Sequence, residues 1–237
     1  MNFIVSENKE IILLHYNQIP YSKAWEIQEQ LFDEKVKLKI YNRESNAPLP
    51  INHHLILCTH PHVYTLGKSG LMEHLLLNNE MLKKFDIEFF NTNRGGDITY
   101  HGPGQIVGYP ILDLDQYYTD IGRYLRDLEE IIIRTIAHYH IIGARIPGLT
   151  GVWLDIDTEH PRKICAMGIR ASRWITMHGF ALNVNTDLSF FNHIVPCGIT
   201  DKGVTSIQKE IGRTVDENEV QKLIIKYFEE VFDSRVV

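Results

Sequence analysis

The stretch from Asn93 to Gln105 restricts the possible folds more than any other part of the chain, because it holds four glycines and one proline. Such a backbone is too free to continue a helix or a strand interior, so we predict a loop between structural elements. The paired Gly95 and Gly96 would let the backbone approach a ligand and direct N–H groups at it, and Arg94 adds a fixed positive charge. No Gly-Lys-Ser/Thr and no G-x-G-x-x-G pattern is present, so neither a P-loop nor a dinucleotide-binding turn is indicated. A ligand-binding loop and an ordinary surface turn both fit these residues.

Hydrophobic periodicity predicts strands in the middle of the chain and helices near its start, middle and end. The expected helices run from Tyr21 (with Ser22 available as a cap) to about Ile40, from about Asp120 to Tyr139 and from about Asp216 to Phe232. The expected strands are Ile11–Tyr16, His54–Cys58, Val63–Leu66, Ile87–Asn91, Ile106–Leu114, Gly151–Asp155, Ile164–Arg170 and Ile175–Val184, and a polar loop is expected at Asn42–Pro50. This order lacks the regular strand–helix alternation of a doubly wound parallel sheet. We therefore predict an α+β fold, a mixed β-sheet with flanking helices.

Length, composition and charge exclude several broad classes of protein. The 237 residues are 44% hydrophobic and 23% charged, and no repeat or linker divides them, so a single domain over residues 1–237 is expected. A net charge of −6 argues against general nucleic-acid binding. Met1 to Glu10 lacks the pattern of a signal peptide, and no apolar run approaches the roughly 18–20 residues that span a bilayer. We expect a cytoplasmic protein that binds neither nucleic acid nor membrane.

The three cysteines and one lysine are the candidates for covalent chemistry. Cys197 lies between Pro196 and Gly198, a turn-like setting in which a thiol can be exposed, although lone cysteines are more often small buried hydrophobes. Cys58 and Cys165 lie in apolar, strand-like segments and are expected in the core. Lys163, at a strand start, has the position of an ordinary solvated edge residue. A lysine held beside a cysteine would instead increase the thiolate fraction of that cysteine, and sequence spacing does not show whether these two meet.

Histidines and basic residues suggest two further hypotheses. The densest histidine group, His53, His54, His60 and His62 around Cys58, has neither zinc-finger nor H-E-x-x-H spacing, so we expect no specific metal site. His101 and His178, each next to a glycine, are better candidates for a functional role. A basic cluster could dock an acidic partner or form a solvated edge; it consists of Arg162, Lys163, Arg170 and Arg173.

Three segments together resemble the octanoyltransferase family of lipoate biosynthesis. Residues Arg94 to Gln105 match the R-G-G-x-x-T-Y-H-G-P-G-Q signature of that family at every fixed position. Lys163 to Arg170 is similar to its K-I-x-x-x-G-[LI]-R strand, and His178 to Val184, followed by Pro196 to Gly198, is similar to H-G-x-A-L-N-V followed by P-C-G. Weaker matches lie at His60–Gly67 and Gly151–Trp153.

This resemblance implies a lipoate/biotin protein ligase-like catalytic domain with a cysteine–lysine dyad. Cys197 matches the nucleophile that carries the acyl thioester, and Lys163 matches the residue that lowers the pKa of its thiol. The matching acyl-substrate-binding residues are Arg94, Gly95, Gly96, Asp97, Ile98, Thr99, Tyr100, His101, Ala166, Met167, Gly168, Gly179, Phe180 and Ala181. Phe180 stands where leucine is common in the family, a change of shape in the acyl pocket.

The implied reaction needs two protein partners and no cofactor or metal. Octanoyl-acyl carrier protein would donate the acyl group, and lipoyl domains of 2-oxoacid dehydrogenases or the glycine cleavage H protein would accept it on a lysine. Three alternatives stay open at this point. A ligase of the same fold would activate a free acid with ATP, a non-catalytic module would only bind these carriers, and a histidine-rich metal protein would lose stability with a chelator.

Overall fold

Two β-sheets form the centre of the structure, a computed structural model that describes residues 9–195 and 203–237. Its strands are β1 Glu10–Tyr16, β2 His53–Cys58, β3 Val63–Leu66, β4 Glu88–Asn91, β5 Ile98–His101, β6 Gln105–Ile111, β7 Ala144–Ile146, β8 Leu149–Leu154, β9 Arg162–Ser172, β10 Ile175–Asn183, β11 Gly203–Val204 and β12 Arg235–Val236. Its helices are α1 Tyr21–Glu44, α2 Asn79–Lys84, α3 Ile121–Ala137, α4 Ile207–Ile211 and α5 Glu217–Phe232.

The main sheet is mixed, as the sequence predicted. Within the described ranges it has the order β12-β1-β2-β6-β10-β9-β8-β7, with β11 beside β9, and a second sheet has the order β4-β3-β5. Strand β1 is parallel to β2 and to β12, whereas β2, β6, β10, β9, β8 and β7 pair antiparallel in turn. The α+β class is confirmed.

The three long helices cover the two faces of the main sheet. Helix α3 begins after Asp120, whose carboxylate accepts the N–H of Arg123, and it buries Leu128, Ile132 and Ile136 along one face. Together with α5 it packs on one side of the sheet, and α1 packs on the other. Each fully buried Leu or Ile stabilises the fold by about 1.5–3 kcal/mol, so these faces supply most of the driving force for docking the helices.

Four predictions of local structure differ from the fold. Residues Ile98–His101, expected as loop, form β5, because they pair antiparallel with β3, a partner far away in sequence. Helix α1 continues to Glu44, into the expected loop, and its N-cap is Pro20 rather than Ser22. The strand expected up to Leu114 ends at Ile111 and is followed by a short 3-10 turn.

Several short elements had no clear sequence signal. These are α2, α4, β7, β11 and β12, each of six residues or fewer and therefore too short to show periodicity. No helix within residues 9–195 or 203–237 has the length and apolar character needed to cross a membrane.

Candidate active site

A cavity of about 370 Å³ is lined by strands of both sheets and by the glycine-rich loop. All predicted substrate-binding residues except Tyr100 line it, and Lys163 lines it as well. Tyr100 is buried in the second sheet, where its hydroxyl lies 2.7 Å from Nδ1 of His62 and its ring stacks on Phe190. The fold therefore brings the glycine-rich loop to the hairpin of β9 and β10, which lies much later in the chain.

The glycine-rich loop lies directly on β9. The N–H of Gly95 donates to the carbonyl of Ile169 at 2.8 Å. Gly168 permits this approach, because a Cβ at that position would lie only 2.6 Å from the carbonyl oxygen of Gly95. Gly67 has the same role on the other side of the loop, where a Cβ would lie 2.3 Å from the carbonyl oxygen of Gly96. These two glycines are therefore needed for close packing.

Two charged side chains of the loop are buried and engaged. The guanidinium of Arg94 donates to the carbonyl of Thr65 at 2.6 Å and to its hydroxyl at 2.9 Å, which fixes the loop to β3. The carboxylate of Asp97 accepts the N–H of Ile98 at 2.6 Å and lies 2.6 Å from Nδ1 of His74. The loop is thus anchored by its own polar side chains.

His101 is held neutral in a fixed orientation. Its Nδ1 lies 2.7 Å from Oε1 of Gln105, whose amide nitrogen donates to Oδ1 of Asn183 and to the carbonyl of Tyr100. Because Oε1 accepts, Nδ1 of His101 carries the proton. Burial, followed by the nearby His60, lowers the pKa of His101 to about 3.

His178 is a second neutral histidine at the cavity. Its Nε2 lies 2.6 Å from Oδ1 of Asn93, and the amide nitrogen of Asn93 donates to Glu29. Burial first, and then the charges of Arg94 and Arg170, lower the pKa of His178 to about 3. Its φ of +57° lies in the left-handed region, which costs energy for a residue with a side chain. Neither histidine is a cation near pH 7.

Lys163 is held between two strands at the edge of the cavity. It pairs with Trp153 of β8 on one side and with Val204 of β11 on the other. Its Nζ lies 4.5 Å from the centre of the Trp153 ring. Lys163 is therefore not the freely solvated edge residue that its sequence position allowed.

The structure describes two of the three cysteines. Cys58 and Cys165 are fully buried, as expected, and burial raises the pKa of both thiols. Cys197 lies outside the described residues. The described chain stops at Val195 and resumes at Gly203, and Phe191, Gly203 and Val204 line the cavity.

Two arginines of the basic cluster form ion pairs within the chain. Arg162 pairs with Asp155 and Glu210, and Arg170 pairs with Glu29 at 3.1 Å. In residues 9–195 and 203–237, no three His, Cys, Asp or Glu side chains are grouped so as to hold a metal ion.

Sequence reasoning missed several residues that line the cavity. Tyr21, the first residue of α1, stacks on His101 with ring centres 6.0 Å apart. Val107 and Tyr109 contribute from β6 and Leu125 from α3. Only the tertiary packing brings these side chains to the site, and Tyr21 had no local signal beyond its place at a helix start.

The arrangement of the sheets and the cavity defines a lipoate-protein-ligase-like catalytic domain. Lipoate-protein ligase A bound with ATP superposes with a TM-score of 0.69 over 96% of this chain and 87% of that chain, at 18% identity. A bipartite lipoate protein ligase of Thermoplasma acidophilum gives a TM-score of 0.67 over 97% and 88%, at 17% identity. At such identities the likeness shows the fold, and it confirms the fold that the sequence motifs implied.

Sequence comparison gives the family. The family model described as "Lipoyl protein ligase A/B catalytic domain" matches residues 20–229. A protein of Flavobacterium johnsoniae described as "Octanoyltransferase" is 55% identical over 97% of this chain and 100% of its own length. One of Christiangramia forsetii with the same description is 53% identical over 97% and 98%. The chain therefore belongs to the lipoyl protein ligase A/B catalytic-domain family and, within it, to the octanoyltransferases, acyltransferases that act in protein lipoylation.

Proposed function

We propose that the chain transfers an octanoyl group from octanoyl-acyl carrier protein to a lysine of a lipoyl domain through a thioester on Cys197. The observation that carries this proposal is the meeting of Lys163 and the glycine-rich loop at one cavity. The described segments that flank Cys197 also reach this cavity, through Phe191 on one side and through Gly203 and Val204 on the other.

The walls of the cavity suit an acyl chain. Apolar side chains of Val107, Leu125, Met167 and Ile169 line it together with the ring of Phe180. Burying each methylene of the acyl chain is worth about 0.8 kcal/mol, so the depth of the cavity would discriminate between chain lengths. Its neutral histidines add hydrogen-bonding groups without adding charge.

In the first half-reaction, the thiolate of Cys197 attacks the carbonyl carbon of the octanoyl thioester. A new C–S bond to Cys197 forms, and the C–S bond to the phosphopantetheine arm breaks. The ammonium of Lys163 gives a proton to the departing phosphopantetheine thiolate and becomes a neutral amine. Free carrier protein leaves, and the acyl group stays on Cys197.

In the second half-reaction, the neutral amine of the acceptor lysine attacks the same carbonyl carbon. A C–N bond forms, the C–S bond to Cys197 breaks, and Lys163 takes the proton that the attacking nitrogen loses. The thiolate and the ammonium are thereby restored. A thioester is already activated, so neither ATP nor a metal ion is needed.

Intact-mass measurement tests this proposal. Octanoyl-acyl carrier protein should add one octanoyl group to the wild-type enzyme, and a lipoyl domain should then remove it. The adduct should be absent from Cys197→Ala and present in Cys58→Ala, a matched control for a buried thiol. Transfer that requires ATP and survives Cys197→Ala would identify a ligase mechanism and refute the proposal. Binding of both carriers without acyl turnover would identify a binding module and refute it too.

A further inference from the structure

The indole ring of Trp153 faces the ammonium group of Lys163. Nζ of Lys163 lies 4.5 Å from the ring centre, well within the distance at which a cation is attracted to the face of an aromatic ring. The two residues are direct partners across β8 and β9, so the contact is set by strand register. Trp153 is 3% exposed, which reduces the screening of this attraction by water.

Nothing in the described residues ties the Trp153 ring to this place by a hydrogen bond. Its Nε1 is buried and has no acceptor within residues 9–195 and 203–237. A buried indole ordinarily finds a partner for its N–H group. The face of the ring, and not its polar edge, is therefore the part of Trp153 that makes a specific electrostatic contact.

Strand β8 is shaped irregularly just where it meets Lys163. Its register against β9 shifts between Val152 and Trp153, which is the signature of a β-bulge, and Gly151 has a φ of +115°. A Cβ on Gly151 would lie 2.5 Å from the carbonyl oxygen of Cys165 and 3.6 Å from Cε of Lys163. Bulges re-aim side chains, and this one sets the angle between the ring and the lysine stem.

A buried carboxylate holds the bulge in place. Glu129 of α3 is fully buried and accepts the N–H of Gly151 at 2.9 Å. Its charge is balanced by Arg126 at 2.7 Å and Arg145 at 3.1 Å. Helix α3 thus fixes the backbone of β8 next to Trp153.

We propose that Trp153 is a positioning residue of this acyltransferase, whose ring orients the Lys163 side chain toward the cavity and favours its ammonium form. This inference rests on the proposed function, since it assigns to Trp153 an influence on the lysine that would stabilise the Cys197 thiolate. Trp153 itself touches no reacting atom in this scheme.

Other ionisable groups near Lys163 lie on the neighbouring elements. From α3, Glu129 lies in its arginine pair behind β8. On β9, the thiol of Cys165 is buried, and Arg162 is paired with Asp155 and Glu210. From β11, the residue paired with Lys163 is the apolar Val204. The fluorinated tryptophan series described below leaves all of these groups in place, so a graded change of the pH profile would report on the ring and the lysine.

Replacing the ring should shift the pH profile of enzyme acylation in one direction. Without the ring the ammonium is less favoured and less well oriented, so the thiolate forms at higher pH. In Trp153→Leu, we expect the acidic limb of the pH profile for enzyme acylation to move up by about 0.5–1 pH unit. The acylation rate at pH 7 should fall by roughly tenfold, mainly through kcat. Because Trp153 also lines the cavity, KM for the acyl donor is measured beside kcat, which separates a loss of positioning from a loss of acyl contact.

The experiment measures single-turnover acylation by intact mass between pH 5.5 and 9, with thermal unfolding recorded for each variant. The control is Trp174→Leu, which removes an indole from the exposed turn between β9 and β10. A second series replaces Trp153 by tryptophan analogues with an increasing number of fluorine atoms on the indole ring. Fluorination weakens the negative charge on the face of the ring and changes its shape very little. That series keeps the inference testable if Trp153→Leu does not fold.

Acidic limbs that move upward in order of fluorination would support the inference, as would partial rescue by Trp153→Phe. Profiles that stay at the wild-type position in both series would overturn it. A wild-type enzyme that forms no Cys197 adduct would refute the proposed function instead, and that result is obtained before any Trp153 variant is compared.

Discussion

The contact between the glycine-rich loop and β9 leads to the most quantitative prediction. In Gly168→Ala, the new Cβ would lie 2.6 Å from the carbonyl oxygen of Gly95, whereas ordinary van der Waals contact begins at 3.4 Å. The loop must therefore move away by about 0.8 Å, because Gly168 is held in place by its pairing with Gly179 of β10. If the loop moved by that distance as a rigid unit, the 2.8 Å hydrogen bond from Gly95 N to Ile169 O would lengthen to about 3.6 Å, beyond hydrogen-bond range.

The energetic cost follows from these distances. A lost backbone hydrogen bond costs about 1 kcal/mol, and overpacking of a close contact costs about 1–3 kcal/mol in all. For a chain of this length each kcal/mol lowers Tm by roughly 2–4 °C, so a decrease of about 2–12 °C is expected. The loop that lines the cavity would be displaced, and we expect kcat/KM for octanoyl transfer to fall at least tenfold, about 1.4 kcal/mol in the barrier.

The assay combines differential scanning calorimetry with octanoyl transfer to a lipoyl domain. Gly122→Ala is the control, because Gly122 is exposed in the first turn of α3, where alanine is the better helix former. A Gly168→Ala enzyme with the Tm and kcat/KM of the wild type would refute the packing argument. Equal losses in Gly122→Ala would show that the effect is not specific to the loop.

Three further predictions rest on buried groups. Arg94→Lys should lose the paired hydrogen bonds to Thr65, and the free energy of unfolding measured in urea should fall by about 1–3 kcal/mol. An unchanged unfolding midpoint would contradict this. Alkylation by iodoacetamide at pH 8 should leave Cys58 and Cys165 unmodified until the chain unfolds, because burial raises both pKa values; peptide mapping that finds either thiol labelled in the native protein would contradict it. The pKa of His101 in the folded protein is about 3, below its value in the unfolded chain, so the contribution of His101 to stability is complete above roughly pH 6.5 and is lost as the pH falls towards 3. The unfolding free energy should therefore change less steeply with pH between pH 5 and 6.5 in His101→Gln than in the wild type. Equal slopes would be evidence against this.

The sequence indicated the long and strongly patterned elements well. Strand β3 has the predicted bounds, Val63–Leu66, and α3 and α5 differ from prediction by a residue or two at their ends. The two helices are long enough for local periodicity to decide their structure. Strand β5 was missed, because four residues inside a glycine-rich stretch become a strand only by pairing with β3.

The candidate site likewise contains residues that the sequence identified and residues that it did not. The motifs named the loop from Arg94, the β9 segment and the β10 segment, and all three line one cavity. They gave no reason to single out Tyr21 or Leu125, whose contribution depends on how α1 and α3 pack.

By itself, then, the sequence determined the α+β class through helical and strand periodicity, and the resemblance of its motifs indicated the family and three segments that line the cavity. Periodicity and motifs are both local properties. The tertiary structure decided how closely those segments approach. Glycines at positions 67 and 168 let the loop lie against its neighbours, and strand register sets Lys163 opposite the ring of Trp153. Such contacts depend on distances between residues far apart along the chain, which only the packed sheets define.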